Sequence, residues 1–172
     1  MPRVLAEIAC VFPSDLGWMA ARWTGPRLAA FTFDQPSAQH AARHVGADPA
    51  ATVGDEGGVD EGEGAHVQRF RRRMQAYARG EHDDFLDVVL EQETLTPFQQ
   101  RVLAHCRRIP WGQTLSYAQL AARAGSPGAA RAVGNVMARN RFPLIIPCHR
   151  VVGTAGALGG FSSPNGLATK QR

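Results

Sequence analysis

The chain has 172 residues, 44% of them hydrophobic, enough for one domain or two small ones with real cores and no need of disulfide staples. Its formal net charge of +4 hides a division: residues 1–93 carry 9 basic and 15 acidic side chains, whereas residues 94–172 carry 10 basic ones and no carboxylate. No apolar run reaches the roughly 20 residues that cross a bilayer, and the opening MPRVLAEIACVFPSDLG lacks the sustained apolar stretch of a secretory signal, so a membrane or exported protein is not expected.

A cytoplasmic protein is the expectation, and the three widely spaced cysteines, Cys10, Cys106 and Cys148, fit a reducing compartment rather than a disulfide framework. Of the 19 basic residues 18 are Arg, a preference that a GC-rich genome would explain. It does not explain the missing acids, which point to a polyanionic partner such as nucleic acid.

In chain order, Val4 to Ala9 alternates, a Pro13-Ser14-Asp15 interruption follows, and Trp18–Trp23 and Leu28–Phe33 flank a Thr24-Gly25-Pro26 turn. This is the pattern of an antiparallel meander. Residues 37–45 are expected to form a short helix. The stretch GDEGGVDEGEG (54–64) reads as a solvated acidic loop. Val67, Phe70, Met74 and Tyr77 recur at helical spacing with Arg69, Arg71, Arg72 and Arg73 between them, which predicts a helix ended by Gly80; the basic run reads as a solvated face opposite the acidic loop, in preference to a contact with phosphate. Phe85–Leu90 reads as a last strand.

The second half opens with Thr96-Pro97, an N-cap followed by proline at the first helical position; Phe98, Val102, Cys106 and Ile109 line one face of the helix that follows. Cys106 is expected to be a core thiol. Ser116 and Gln119 have capping-box spacing and start a second helix through Ala124, which Gly125 stops. Ser126-Pro127 is expected to start a third, through about Arg139. Two helices joined by a tight Gly-containing turn in an acid-free segment signal a helix-turn-helix. The third helix is dominated by Ala and Gly, so a duplex can approach it closely, but few side chains on it are long enough to read bases.

After that helix, Leu144-Ile145-Ile146 reads as a short buried strand leading into Pro147-Cys148-His149-Arg150. A thiol beside a histidine and a cation is a candidate nucleophile, because such neighbours favour the thiolate.

These segments, TPFQQRVL, IPWGQTLSYAQLA, GAARAVGN, ARNRFPLIIPCHRVVG and GGFSSPNGLATK, resemble in order and spacing the C-terminal domain of the O6-alkylguanine-DNA alkyltransferases, over residues 96–170. Residues 1–90 are similar to that family's N-terminal RNase-H-like domain only in strand pattern. The resemblance implies an α+β protein. Residues 1–93 would form the RNase-H-like antiparallel sheet domain, and residues 94–172 a mainly helical domain for DNA binding and alkyl transfer.

It also implies the reaction. An O6-alkylated guanine is extruded from duplex DNA and its alkyl group passes irreversibly to a cysteine, once per protein molecule, with no cofactor, by a monomer. Carried over by position, Cys148 is the acceptor, His149 its base, Tyr117 a hydrogen-bond donor to the guanine, and Asn140 the pin between the third helix and the active-site strand. Ser162, Phe161, Gly159 and Val151 would line the substrate pocket. Arg131 would fill the gap left by the extruded nucleotide, with Ala129, Ala130, Gly134 and Arg139 along the same DNA-facing helix.

The sequence departs from the family's pattern in two places. Asn140 is followed by Arg141 rather than proline, which is expected to loosen that turn. The family's glutamate on a helix beyond the GGL–Lys segment, which orients the histidine, has no counterpart before Arg172, so the second domain is expected to lack its last helix. No metal is expected. Some relatives carry zinc in the N-terminal domain with a second cysteine that this chain lacks, and only His40 and His44 share a helical face. Two rival readings stay open: a lesion-binding relative that transfers nothing, against which Cys148 speaks, and a helix-turn-helix regulator, against which the small side chains of the third helix speak.

Overall fold

In the computed structural model, which describes residues 6–49 and 64–153, the chain forms two compact units, Met1–Glu91 and Gln92–Arg172. The class is α+β, as expected.

The first unit is built on an antiparallel meander of β1 (Glu7–Ser14), β2 (Gly17–Thr24) and β3 (Arg27–Gln35), paired in that order. Gly17 closes the first hairpin at φ +80, and a Cβ there would stand 3.1 Å from the Asp34 backbone, so the turn demands glycine. Runs of three consecutive buried residues, Cys10–Phe12 and Met19–Ala21, show that both faces of the sheet are covered. Val11 and Ala20 pack on α1 (Ala38–His44), which Ser37 caps. Trp23 and Phe31 meet Phe70 of α2 (Ala65–Ala78) edge-on, with ring centroids 5.3 and 5.6 Å apart. Val67, Phe70, Met74 and Tyr77 are the buried face of α2, as the spacing predicts.

The strand expected over Phe85–Leu90 is not formed. Asp83 and Asp84 accept the Phe85 and Leu86 N–H groups, Phe85 takes φ +52, and only a bridge between Leu90 and Leu28 remains. Two successive aspartates thus offered the backbone a turn in place of a ladder. The same turn receives the basic face of α2: Arg73 makes bidentate bonds to Asp83 and Asp87 at 2.7–2.8 Å and lies over the Phe85 ring. The acidic stretch expected to face those arginines lies outside the described residues save Gly64.

In the second unit α3 (Pro97–Arg107) and α4 (Tyr117–Arg123) both start at complete capping boxes, Thr96 with Gln99 and Ser116 with Gln119. Val102, Leu103 and Cys106 of α3 are buried and Ile109 beyond it also, while Phe98 is only half-buried. The third helix, α5 (Ala130–Ala138), begins later than Ser126-Pro127 suggests, because Gly128 takes φ +88 and spends those residues on a turn. A short parallel ladder joins β4 (Leu115–Ser116) to β5 (Val151–Val152). Among the described residues no helix is long and apolar enough to cross a membrane.

Candidate active site

The segment expected to be an active-site strand is a buried turn. Leu144 takes φ +68, and the Ile146 N–H donates back to the Phe142 carbonyl at 2.8 Å. A leucine in that region is strained. It is held there by burial of Leu144, Ile145 and Ile146 and by Asn140, whose Oδ1 accepts the Phe142 N–H at 3.0 Å while its Nδ2 donates to the Ile146 carbonyl at 3.1 Å. These two bonds hold the turn without the proline expected after Asn140. Arg141 instead places its guanidinium over the Phe142 ring, 5.6 Å from its centroid.

The Ile146 carbonyl also accepts the Cys148 N–H at 2.7 Å. Asn140 is therefore one shared carbonyl away from the backbone of the candidate nucleophile. Cys148, His149 and Arg150 form a single 3-10 turn, with Cys148 only 8% exposed and His149 half-buried. Arg150 anchors the turn from its far side: Nη1 donates to the Ile109 carbonyl at 2.7 Å, and the guanidinium covers the ring of exposed Trp111 at 5.2 Å.

The β4–β5 ladder brings Tyr117 to the same place. Ser116 pairs with Val152 and caps α4, so Tyr117, the first helical residue, follows directly on the strand beside the Cys148 turn. Burial pushes the Tyr117 phenol above its ordinary pKa, helped by Cys148 and then Cys106. A phenol so placed stays protonated and able to donate. Cys106 is pushed up by its own burial first and by Cys148 second, with Arg150 opposing.

A cleft of about 430 Å³ opens between the start of α4 and the exposed face of α5, lined by Ser116, Tyr117, Ala118, Ala130, Arg131, Gly134, Asn135 and Gly153. The volume lies in the range of small-molecule sites, roughly 300–1,000 Å³. Gly134 lies against Tyr117, where an added Cβ would stand 3.9 Å from the ring.

Of the residues expected at the site, Cys148, His149, Tyr117 and Asn140 thus share one turn-and-ladder assembly, and Arg131, Ala130 and Gly134 share the cleft. Ala129 is the N-cap position of α5 and Arg139 its C-cap, both outside the cleft lining. Val151 is fully buried where β5 pairs with Leu115, beside the cleft residue Gly153. Gly159, Phe161 and Ser162 lie outside the described residues, as does the chain's end. Asn135 and Ser116 of the cleft, and the Arg150–Trp111 contact, were not anticipated. Asn135 follows Arg131 by one helical turn, so spacing places the two on one face of α5 but does not say that this face is the exposed one. Among the described residues no three His, Cys, Asp or Glu side chains stand together as a metal site.

Residues 97–172 match the family described as 6-O-methylguanine DNA methyltransferase, DNA binding domain. The constitutive methylated-DNA–protein-cysteine methyltransferase of Bacillus subtilis is 43% identical over 97 residues, 56% of this chain and 58% of the relative. The DNA base-flipping protein of Thermus thermophilus is 43% identical over 108 residues, 62% of this chain and 71% of that protein. The chain spans 53% of the length of the Mycobacterium tuberculosis methyltransferase at 46% identity, so such curated relatives are matched over little more than half their length. The Mycobacterium tuberculosis OGT structure solved in complex with DNA superposes with a TM-score of 0.71 at 31% identity, covering 95% of this chain and 88% of that one. A structural match of that extent takes in the first unit as well as the second, and with the cysteine turn, the ladder and the helix pair in one place the chain belongs to the 6-O-methylguanine DNA methyltransferase family.

Proposed function

We propose that the protein repairs DNA by direct reversal, taking the alkyl group of O6-alkylguanine in duplex DNA onto Cys148. The observation that carries this reading is the assembly of Cys148, His149 and Tyr117 on one buried turn and ladder, next to a cleft whose other wall is the Arg131 face of α5. In the reaction the Cys148 sulfur attacks the alkyl carbon, a carbon–sulfur bond forms and the bond from that carbon to O6 breaks, its electron pair going to the guanine. The thiol proton passes to His149. Tyr117, kept protonated by its surroundings, donates toward the guanine so that the leaving group does not depart as an anion. The thioether is not reversed, and each molecule acts once.

Arg131 fills the stack where the guanine was, and α4 and α5 act as the helix-turn-helix, with Arg139 meeting phosphate. The second unit is the DNA-binding and alkyl-transfer domain, with Ser162, Phe161 and Gly159 completing the substrate pocket. The protein works as a cytoplasmic monomer without cofactor. The name of the Thermus relative, a DNA base-flipping protein, supports the extrusion step; the presence of a thiol at position 148 favours transfer over recognition alone.

The test is to incubate the protein with duplex carrying one O6-methylguanine and weigh its peptides. One methyl group on the Cys148 peptide, with unmodified guanine left in the DNA, is the expected result. An unmodified Cys148 peptide overturns the assignment.

A further inference from the structure

The exposed face of α5 carries three polar side chains at successive helical turns, Arg131, Asn135 and Arg139, with only Ala132 and Ala138 exposed between them. Both arginines are cations suited to phosphate or to an insertion. Asn135 is of another kind: neutral, short, and carrying both a donor and an acceptor. It makes no hydrogen bond within the described residues, is exposed, and shares the cleft lining with Arg131 and Tyr117. No hydrogen bond among the described residues ties it to the fold, and the neighbouring small residues bring its amide within reach of anything that contacts the α5 backbone.

Extrusion of a guanine leaves the base on the opposite strand with its pairing edge unsatisfied, and unpaired polar groups inside an interface are costly. The pairing edge of cytosine offers a ring-nitrogen acceptor beside an amino donor, which the donor and acceptor of one primary amide match. Arginine has donors only: it can meet the acceptors of that edge but leaves the amino group without a partner. We propose that Asn135 hydrogen-bonds the orphaned base opposite the extruded nucleotide, and so makes alkyl transfer depend on the complementary strand. This rests on the alkyl-transfer reading above and adds to it a residue that reads the second strand.

The experiment compares wild type with Asn135→Ala on three DNAs carrying O6-methylguanine: a duplex with cytosine opposite, the same duplex with an abasic site opposite, and the single strand. Loss of the amide is expected to slow transfer about five-fold opposite cytosine, as for one lost hydrogen bond of roughly 1 kcal/mol. Rates from the other two DNAs are expected to be unchanged, since neither presents an orphaned base. A structural defect would lower all three together. Equal slowing on all three, or none on any, overturns the assignment to Asn135 while leaving alkyl transfer intact; absence of transfer by wild type from every DNA overturns both.

Discussion

Cys10 and Cys106 are thiols that burial holds in the protonated form: Cys10 is pushed up to about 12, and Cys106 well above its ordinary value. A thiol with so little thiolate at neutral pH neither alkylates nor attacks. A limiting amount of iodoacetamide should therefore modify Cys148 before either of the other two in the folded protein, and the three should react alike once it is unfolded. Labelling of Cys106 ahead of Cys148 in a peptide map would defeat this ordering. Asn140 acts at the same scale. Asn140→Ala leaves the Phe142 N–H without its acceptor and takes one donor from the Ile146 carbonyl, which also holds the Cys148 N–H. The expected destabilisation is about 1–3 kcal/mol in urea unfolding, with slower methyl uptake by the fraction that stays folded. An unchanged midpoint and rate would show that the strained Leu144 turn holds itself.

Helices α3 and α4 begin at the residues their capping boxes announce, because a cap is a contact between residues three apart and needs nothing from the rest of the chain. Thr96→Ala and Ser116→Ala should each lower stability by about 1 kcal/mol. They differ in consequence: Ser116 also pairs with Val152 and precedes Tyr117, so its loss should slow methyl transfer, whereas Thr96→Ala should leave the rate of the folded protein alone. Equal rates for the two variants would detach Tyr117 from the cap. The elements that the sequence did not disclose are those settled by surroundings. Phe85–Leu90 has the composition of a strand, yet Asp83 and Asp84 turn it and Arg73 holds the turn from another helix. Leu144–Ile146 is apolar enough for a strand, but Asn140 reaches across six residues to close it. The start of α5 moved because Gly128 adopts a positive φ that composition does not reveal. The site was legible where it is local, in Pro147–Arg150, and illegible at Asn135, whose place beside Arg131 depends on which face of α5 is left exposed.

For the whole molecule the division of charge becomes a division of acid sensitivity. Fourteen of the 15 carboxylate side chains belong to the first unit; Glu93 is the sole one in the second. In the first unit the Arg73 donors hold Asp83 and Asp87 below the ordinary aspartate value of 3.8. A carboxyl whose folded pKa is depressed lends stability that is complete above its unfolded pKa and is lost as pH falls through the folded one. The first unit should therefore weaken below about pH 4, while the second has one side-chain carboxyl to protonate. Amide exchange followed from pH 5 downward, by roughly 3 units, is expected to open β2 and α2 before α3, α4 and α5. Asp83→Asn should lower stability at neutral pH by roughly 1 kcal/mol, as for a partly exposed pair, and flatten the acid response of the first unit. Simultaneous loss of protection in both units, or an unchanged slope in Asp83→Asn, would mean that groups other than these carboxylates govern the response to acid.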